Sequence, residues 1–124
     1  MKKTIRIGLG SLLVILLFAI VGCTKDPSTG GGSAIQPPTG VRSERSGTMI
    51  KVSWNSVPNA SYYNLYRSSG STNASSAGPY YFISSSTSTY CYDENPDHIN
   101  YYRVTAVDYN NVESEMSSYT GYTF

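Results

Sequence analysis

Residues 50–67 of this 124-residue chain read IKVSWNSVPNASYYNLYR. Apolar and polar side chains alternate from Ile50 to Trp54, and the same alternation returns from Tyr63 to Leu65. A proline-asparagine pair at 58–59 separates the two runs. Because successive side chains of a strand point to opposite faces, a period of two predicts two half-buried β-strands joined by a turn.

Similar runs lie on both sides of this stretch and are separated by residues that favour turns. The composition agrees, because 12 tyrosines accompany only three phenylalanines and one tryptophan, and tyrosine favours strands. No segment beyond the N-terminus has a helical period. About seven short strands at this spacing predict an all-β sandwich. The further strands are predicted at about 40–45, 80–83, 89–92, 102–106 and 119–124.

The order of these motifs resembles a fibronectin type III domain across residues 37–124. The resemblance rests on Pro37–Val41, Ile50–Trp54, Ala60–Arg67, Tyr101–Val107 and Glu113–Ser117. It implies a seven-stranded sandwich in which strands A, B and E face strands C′, C, F and G. It also implies that Trp54 is the core tryptophan at the end of strand B.

Two positions of this domain need separate interpretation. The family usually has a tyrosine, the tyrosine corner, where this chain has Asn100. Either Tyr101 replaces it after a shift of one residue, or the corner is missing. If Cys23 carries a lipid, Cys91 has no partner in the chain and is either a reactive or intermolecularly bonded thiol or a small buried side chain. The family often has an inward tyrosine at the corresponding place on strand E, so we expect the buried side chain.

The N-terminus has the features of a secretory signal. Lys2, Lys3 and Arg6 precede an apolar run from Ile7 to Val21. A basic segment followed by an apolar run of this length predicts a signal peptide over residues 1–22. The alternative is a transmembrane anchor, which needs roughly 20 apolar residues and is therefore disfavoured.

The signal ends in Ile20-Val21-Gly22-Cys23, which resembles the lipobox of bacterial lipoproteins. The resemblance implies cleavage before Cys23, a diacylglycerol on its thiol, and fatty acylation, for example with palmitate, of the new N-terminus. It therefore implies a lipid anchor in the cell envelope, periplasmic or surface-exposed. Thr24 stands where aspartate favours inner-membrane retention, so the outer membrane is favoured. Residues 23–36 are then the lipidated cysteine and a flexible, glycine-rich linker.

Charge and motifs exclude several functions. From Cys23 onward the chain has six basic and eight acidic side chains, a net charge of about −2, so we expect no nucleic-acid partner. No nucleophile, zinc or nucleotide motif is present, and we predict a non-enzyme without a cofactor. His98 has no other metal ligand at a suitable spacing, so we do not expect it to be a ligand or a base. Asp93, Glu94 and Asp97 form either a weak calcium site or a solvated turn. Their spacing does not match an EF-hand, and we predict no metal site.

Tyrosine doublets at 62–63, 80–81 and 101–102 offer a candidate binding surface. Alternation predicts one ring of each doublet inside and one outside. Tyr62, Tyr66 and Tyr101 are the candidate ligand-binding residues, flanked by Arg67 or Arg103, for a protein or glycan. Alternatively, the tyrosines only stabilise the sheet through cross-strand pairs. The sequence thus predicts a membrane-anchored, non-catalytic binding or adhesion module, or else a structural spacer or envelope lipoprotein without a ligand.

Overall fold

The computed structural model describes residues 34–124. The predicted signal peptide, Cys23 and linker residues 24–33 lie outside the described residues. The described part contains seven strands, and none of its elements is a helix that could cross a membrane. The strands are β1 (Arg42–Ser46), β2 (Met49–Ser53), β3 (Ala60–Gly70), β4 (Tyr81–Ser86), β5 (Tyr90–Asp93), β6 (Ile99–Asp108) and β7 (Thr120–Thr123).

The strands form two antiparallel sheets, a three-stranded sheet of order β1-β2-β5 and a four-stranded sheet of order β4-β3-β6-β7. This is the predicted arrangement of A, B and E opposite C′, C, F and G, so the all-β sandwich is confirmed. β3 extends beyond the predicted run of 63–67, because its polar end also pairs with β6, up to Gly70 opposite Ile99.

The inward side chains of both sheets form one apolar core. Ile50 and Val52 of β2 lie opposite Leu65 and Val104 of β3 and β6, and all four are at most 1% exposed. Each such side chain contributes roughly 1.5–3 kcal/mol of hydrophobic stabilisation. Cys91 is buried in the same core, as predicted.

Trp54 lies at the end of β2 and is 2% exposed, so its predicted core position is confirmed. Its indole ring packs on Tyr63 at 5.4 Å between ring centroids, with the planes 59° apart. The Tyr63 hydroxyl in turn accepts a hydrogen bond of 2.9 Å from the backbone N–H of Val57. The tryptophan therefore helps to hold the turn that leads into β3.

Packing on the domain begins before the predicted boundary at residue 37. Ile35 contacts the core and Pro38 is completely buried. The backbone N–H of Asn55 donates to the carbonyl oxygen of Thr39 at 2.9 Å. The compact unit that the structure describes therefore begins at Ala34 rather than at residue 37.

The segment between β6 and β7 is bonded to β6 partly through serine side chains. Ser114 Oγ accepts a hydrogen bond from the N–H of Ala106, and Ser117 Oγ accepts one from the N–H of Val104. The backbone N–H groups of the same two serines donate to the carbonyl oxygens of Ala106 and Val104. The serine hydroxyls thus take the place of the carbonyl acceptors that a regular strand would supply.

We expect Ser117→Ala to lower the free energy of unfolding by about 1–3 kcal/mol, because it leaves the buried N–H of Val104 without an acceptor. Ser117 is 4% exposed, so water does not readily replace the hydroxyl. Urea denaturation measures the loss. Ser118→Ala is the matched control, because Ser118 is exposed and contributes only its carbonyl oxygen to this cluster. Equal stability of the two variants would contradict this role of Ser117.

Asn100 replaces the tyrosine corner by bonding to its own turn. Its Oδ1 accepts from the N–H of Asp97 at 2.9 Å, and its Nδ2 donates to the carbonyl oxygen of Asp97 at 2.7 Å. Asn100 is completely buried. Tyr101 does not substitute for the corner, because its ring packs on Tyr119 at 5.7 Å. A side chain shorter than tyrosine therefore closes the bend before β6.

Candidate functional site

The three candidate tyrosines all lie on the solvent side of the four-stranded sheet, and we call this surface the outer tyrosine face (Tyr62, Tyr66 and Tyr101). Each is half-buried, whereas the neighbouring Tyr63 and Tyr102 are buried in the core. The prediction of one ring in and one ring out is confirmed for these two doublets.

The doublet at 80–81 departs from that prediction. β4 begins only at Tyr81, which is 67% exposed, and Tyr80 is half-buried against the Arg103 guanidinium at 5.0 Å from its ring centroid. A bulge between Leu65 and Tyr66 shifts the register of β3 against β4. Neither ring of this doublet enters the core. Tyr80 lies before the ladder begins, and Tyr81 pairs with Arg67 at the exposed end of an edge strand.

Glu113 bonds to the middle of the outer tyrosine face. Its Oε1 accepts hydrogen bonds from the hydroxyls of Tyr66 and Thr105, each at 2.5 Å, and from Nδ2 of Asn64 at 3.1 Å. Burial alone would raise the pKa of Glu113, but these three donors outweigh it and lower that pKa. Burial and the nearby carboxylate raise the pKa of Tyr66. The hydroxyl of Tyr66 is therefore occupied within the protein.

This lowered pKa predicts a pH-dependent contribution of Glu113 to stability. Since the folded pKa lies below the ordinary value of 4.5, the unfolded chain takes up the proton first as the pH falls. We therefore expect wild type to exceed Glu113→Gln in free energy of unfolding above about pH 6, with the difference shrinking below the ordinary pKa. Urea denaturation of both proteins between neutral and acidic pH measures this, and a difference that grows on acidification would contradict it.

Aromatic pairs continue the outer tyrosine face on both sides. Tyr66 meets Phe82 of β4 edge to face at 5.9 Å, and Tyr101 meets Tyr119 at 5.7 Å. Gly121 leaves room for the Tyr101 ring, because a Cβ there would lie 3.2 Å from it. The sequence predicted Arg67 or Arg103 as a flanking residue, and Arg103 is the one beside this surface, where it lies opposite Tyr66 in the ladder.

Arg67 instead faces the opposite sheet. Its Nη1 donates to Asp93 Oδ2 at 2.8 Å and to the carbonyl oxygen of Asn95 at 2.9 Å. The hydroxyl of Tyr102 also donates to Asp93 Oδ2, at 2.7 Å. Asp93 is 5% exposed, so this carboxylate bridges the two sheets from a buried position. Burial is the larger cause that raises the pKa of Tyr102, and the adjacent Asp93 carboxylate is the smaller one. The Tyr102 hydroxyl therefore stays protonated and acts as a donor.

A cleft of about 530 Å³ lies beside this bridge, and we call it the β4–β5 cleft. Its lining consists of Arg67, residues 82–84 of β4 and residues 92–95. Sequence reasoning missed this cleft. A signal was present, because Arg67 and Asp93 both occupy positions that alternation places inward, where single charges are rarely left unpaired.

The acidic residues near His98 have separate roles. Asp93 pairs with Arg67, and Asp97 Oδ1 accepts from the N–H of His98 at 2.9 Å. Within residues 34–124 no group of three or more histidine, cysteine, aspartate and glutamate side chains could hold a metal.

Fold and surface together define a seven-stranded, immunoglobulin-like sandwich with an aromatic sheet face. A solved Fn3-like protein from Clostridium thermocellum is 35% identical, with a TM-score of 0.59, over 72% of this chain and 92% of that one. The chain therefore belongs to the fibronectin type III family. An Fn3-like fold indicates a binding or structural module.

Two further structures show the same fold. A β-1,2-glucanase from Parabacteroides distasonis is 25% identical with a TM-score of 0.61, and the match covers 73% of this chain but 13% of that enzyme. FN3tt is 23% identical with a TM-score of 0.57, over 74% of this chain and 96% of that one. No protein-family model matches the sequence, and no curated protein matches it significantly.

Proposed function

We propose that this chain is a lipid-anchored, non-catalytic binding or adhesion module that presents its fibronectin type III domain outside the cytoplasm. The observation that carries the binding role is the set of aromatic rings on one sheet face. Tyr66 packs on Phe82, Tyr101 packs on Tyr119, and Tyr62 lies half-buried on the same face. Rigid aromatic surface with polar groups at its edge suits recognition of a protein or polysaccharide.

The anchor rests on the sequence of residues 1–23. A basic segment, an apolar run and a lipobox-like ending occur in the order that lipoprotein processing requires. Two or three acyl chains at Cys23 would give stable membrane attachment, whereas one gives only marginal binding. The glycine-rich linker would keep the domain near the bilayer and free to reorient.

Metabolic labelling of cells with an alkyne fatty acid tests this anchor. We expect wild type to carry the label and to fractionate with membranes, and Cys23→Ala to lose both properties. Cys91→Ala is the matched control, because Cys91 is the second of the chain's two cysteines and is buried in the core. Label that survives Cys23→Ala would refute the anchor.

Protease treatment of intact cells, and of separated membranes, distinguishes surface from periplasm and outer from inner membrane.

The binding role is tested with a soluble chain of residues 24–124, which holds both sheets and the whole core. Pull-down from envelope extracts and a glycan array would identify a ligand, and the triple variant in which Tyr62, Tyr66 and Tyr101 become serine should lose it. Unchanged binding by a folded triple variant would remove the outer tyrosine face from the proposal.

The alternative function is a structural spacer or envelope lipoprotein without a dedicated ligand. The observation favouring it is that the aromatic side chains satisfy one another: Tyr66 bonds to Glu113 and packs on Phe82, while Tyr101 packs on Tyr119. Such pairs stabilise a sheet without any ligand. Under this alternative the triple variant loses stability and no partner is captured by wild type.

A further inference from the structure

The β4–β5 cleft lies between an edge strand of each sheet, since β4 ends the four-stranded order and β5 ends the three-stranded order. Edge strands carry backbone N–H and C=O groups that no neighbouring strand satisfies. Both edges are short, and a register shift interrupts the pairing of β4. Short, irregular edges oppose addition of an extended peptide strand, so the cleft favours a compact ligand with many hydrogen-bonding groups.

Arg67 offers such a ligand pre-oriented donors. Its Nη1 is held by Asp93 and by the carbonyl oxygen of Asn95, at 2.8 and 2.9 Å. Among the described residues its Nε and Nη2 have no partner, and the side chain is 22% exposed. A guanidinium that is already fixed loses little further side-chain entropy on binding.

The charge of the lining opposes an anionic ligand. Arg67 and Asp93 neutralise each other as an ion pair, and the exposed carboxylate of Glu94 remains. A negative lining repels carboxylates and phosphates. Two adjacent hydroxyls of an uncharged ligand, in contrast, can bind side by side: one donates to a carboxylate and the other accepts from the guanidinium, and both hydrogen bonds are strong because they are charge-assisted. An uncharged ligand with adjacent hydroxyls fits this lining.

Two aromatic residues stand at the rim of the cleft, one from each sheet, because alternation turns both rings to the outer sides of their sheets. Phe82 packs on the outward Tyr66, and Tyr92 lies between the inward Cys91 and Asp93. Phe82 of β4 is 55% exposed and Tyr92 of β5 is 37% exposed. Aromatic rings bind apolar faces, and a sugar ring combines an apolar C–H face with a rim of hydroxyls. The cleft volume of about 530 Å³ lies within the range of roughly 300–1,000 Å³ typical of small-molecule sites.

We propose that the β4–β5 cleft binds one unit of a neutral saccharide chain. This inference rests on the binding role proposed above, but it assigns the ligand contact to the cleft rather than to the outer tyrosine face.

The test is a nuclear magnetic resonance titration of the ¹⁵N-labelled 24–124 chain with cellotetraose, laminaritetraose, mannotetraose and xylotetraose. Concentrations on the order of 10 mM reach the millimolar affinities expected of such a small contact. We expect at least one of these neutral probes to shift the amide signals of Ser84 and Asn95. Tetragalacturonate, the acidic probe, should bind more weakly.

Variants at exposed positions keep the test separate from folding. Tyr92→Ala should weaken binding at least about tenfold, a loss of about 1.4 kcal/mol, and Glu94→Gln should weaken it too. Tyr90→Ala is the matched control, because Tyr90 packs edge to face on Tyr92 but does not line the cleft. Its affinity should stay within about twofold. Arg67 is left unchanged because its ion pair supports the fold.

Several results would overturn the proposal. The first is that no neutral probe shifts the amide signals of the cleft. The second is that tetragalacturonate binds more tightly than the neutral probes. The third is that Tyr92→Ala and Tyr90→Ala lose the same amount of binding affinity. A saccharide bound through Tyr62, Tyr66 and Tyr101, with Tyr92→Ala unaffected, would overturn the cleft site and leave the proposed binding module intact. If the pull-down captures only an extended peptide that shifts β4 or β5, the saccharide is wrong although the chain is still a binding module.

Discussion

Replacing Asp93 with alanine is expected to lower the free energy of unfolding by about 3 kcal/mol, the lower end of the usual range for breaking a buried ion pair, because Asp93 is buried but Arg67 is partly exposed. Asp93 Oδ2 accepts from both Arg67 and Tyr102, and Oδ1 accepts from the N–H of Asn95. The substitution would therefore leave three donors at the junction of the two sheets without their acceptor.

Chemical denaturation followed by tryptophan fluorescence measures this loss. Glu94→Ala is the matched control, because Glu94 is the next residue and is exposed, and we expect it to change stability by less than about 0.5 kcal/mol. Tyr102→Phe removes one of the three donors and should lie between the two, at about 1–3 kcal/mol, because it removes one hydrogen bond and leaves the ion pair. A cost for Asp93→Ala no larger than that for Glu94→Ala would show that the bridge contributes nothing to stability.

Trp54→Ala is expected to cost about 3–5 kcal/mol, the usual range for removing a buried large aromatic side chain. Trp54 is 2% exposed and packs on Tyr63, whose hydroxyl holds the N–H of Val57. The cavity would therefore also loosen the turn before β3. Circular dichroism must follow this unfolding, because Trp54 is the only tryptophan of the chain.

Trp54→Phe separates packing from hydrogen bonding at this site. The indole Nε1 is buried and has no hydrogen-bond partner among residues 34–124, so its removal should cost no bond. Trp54→Phe should therefore have a clearly higher free energy of unfolding than Trp54→Ala. Tyr109→Ala is the control: Tyr109 is 77% exposed, so this variant should stay within about 0.5 kcal/mol of wild type. Equal losses for the two Trp54 variants would argue against ring packing as the cause.

The strands were predictable because the signal for a half-buried strand lies in adjacent residues. Ile50, Val52 and Trp54 alternate with polar residues, and the structure buries all three on one face. Turn-forming residues marked the ends of the runs. The prediction failed at Tyr80-Tyr81: Tyr80 lies before β4 begins, where alternation has no physical basis, and Tyr81 is the exposed first residue of this edge strand.

The candidate site was predictable only in part. Alternation put Tyr62, Tyr66 and Tyr101 on the outer side of the sheet, but it could not show that the Tyr66 hydroxyl is bonded to Glu113, which lies 47 residues further along the chain. It likewise could not reveal that Arg67 faces Asp93, 26 residues away. Such partners depend on how the connection after β6 folds back and on how the two sheets meet.

The amino-acid pattern was enough to predict an all-β sandwich with Trp54 on an inward face, because burial of alternating side chains is a local property of each strand. The resemblance to fibronectin type III domains added the inward position of Cys91. The sequence also predicts the lipid on Cys23, which lies outside the described residues and stays a prediction. Three features became visible only in the folded molecule: Asn100 closes the bend before β6, Ser114 and Ser117 bond to β6, and a cleft opens beside Arg67 and Asp93. These features depend on contacts between distant parts of the chain, and no local period encodes such contacts.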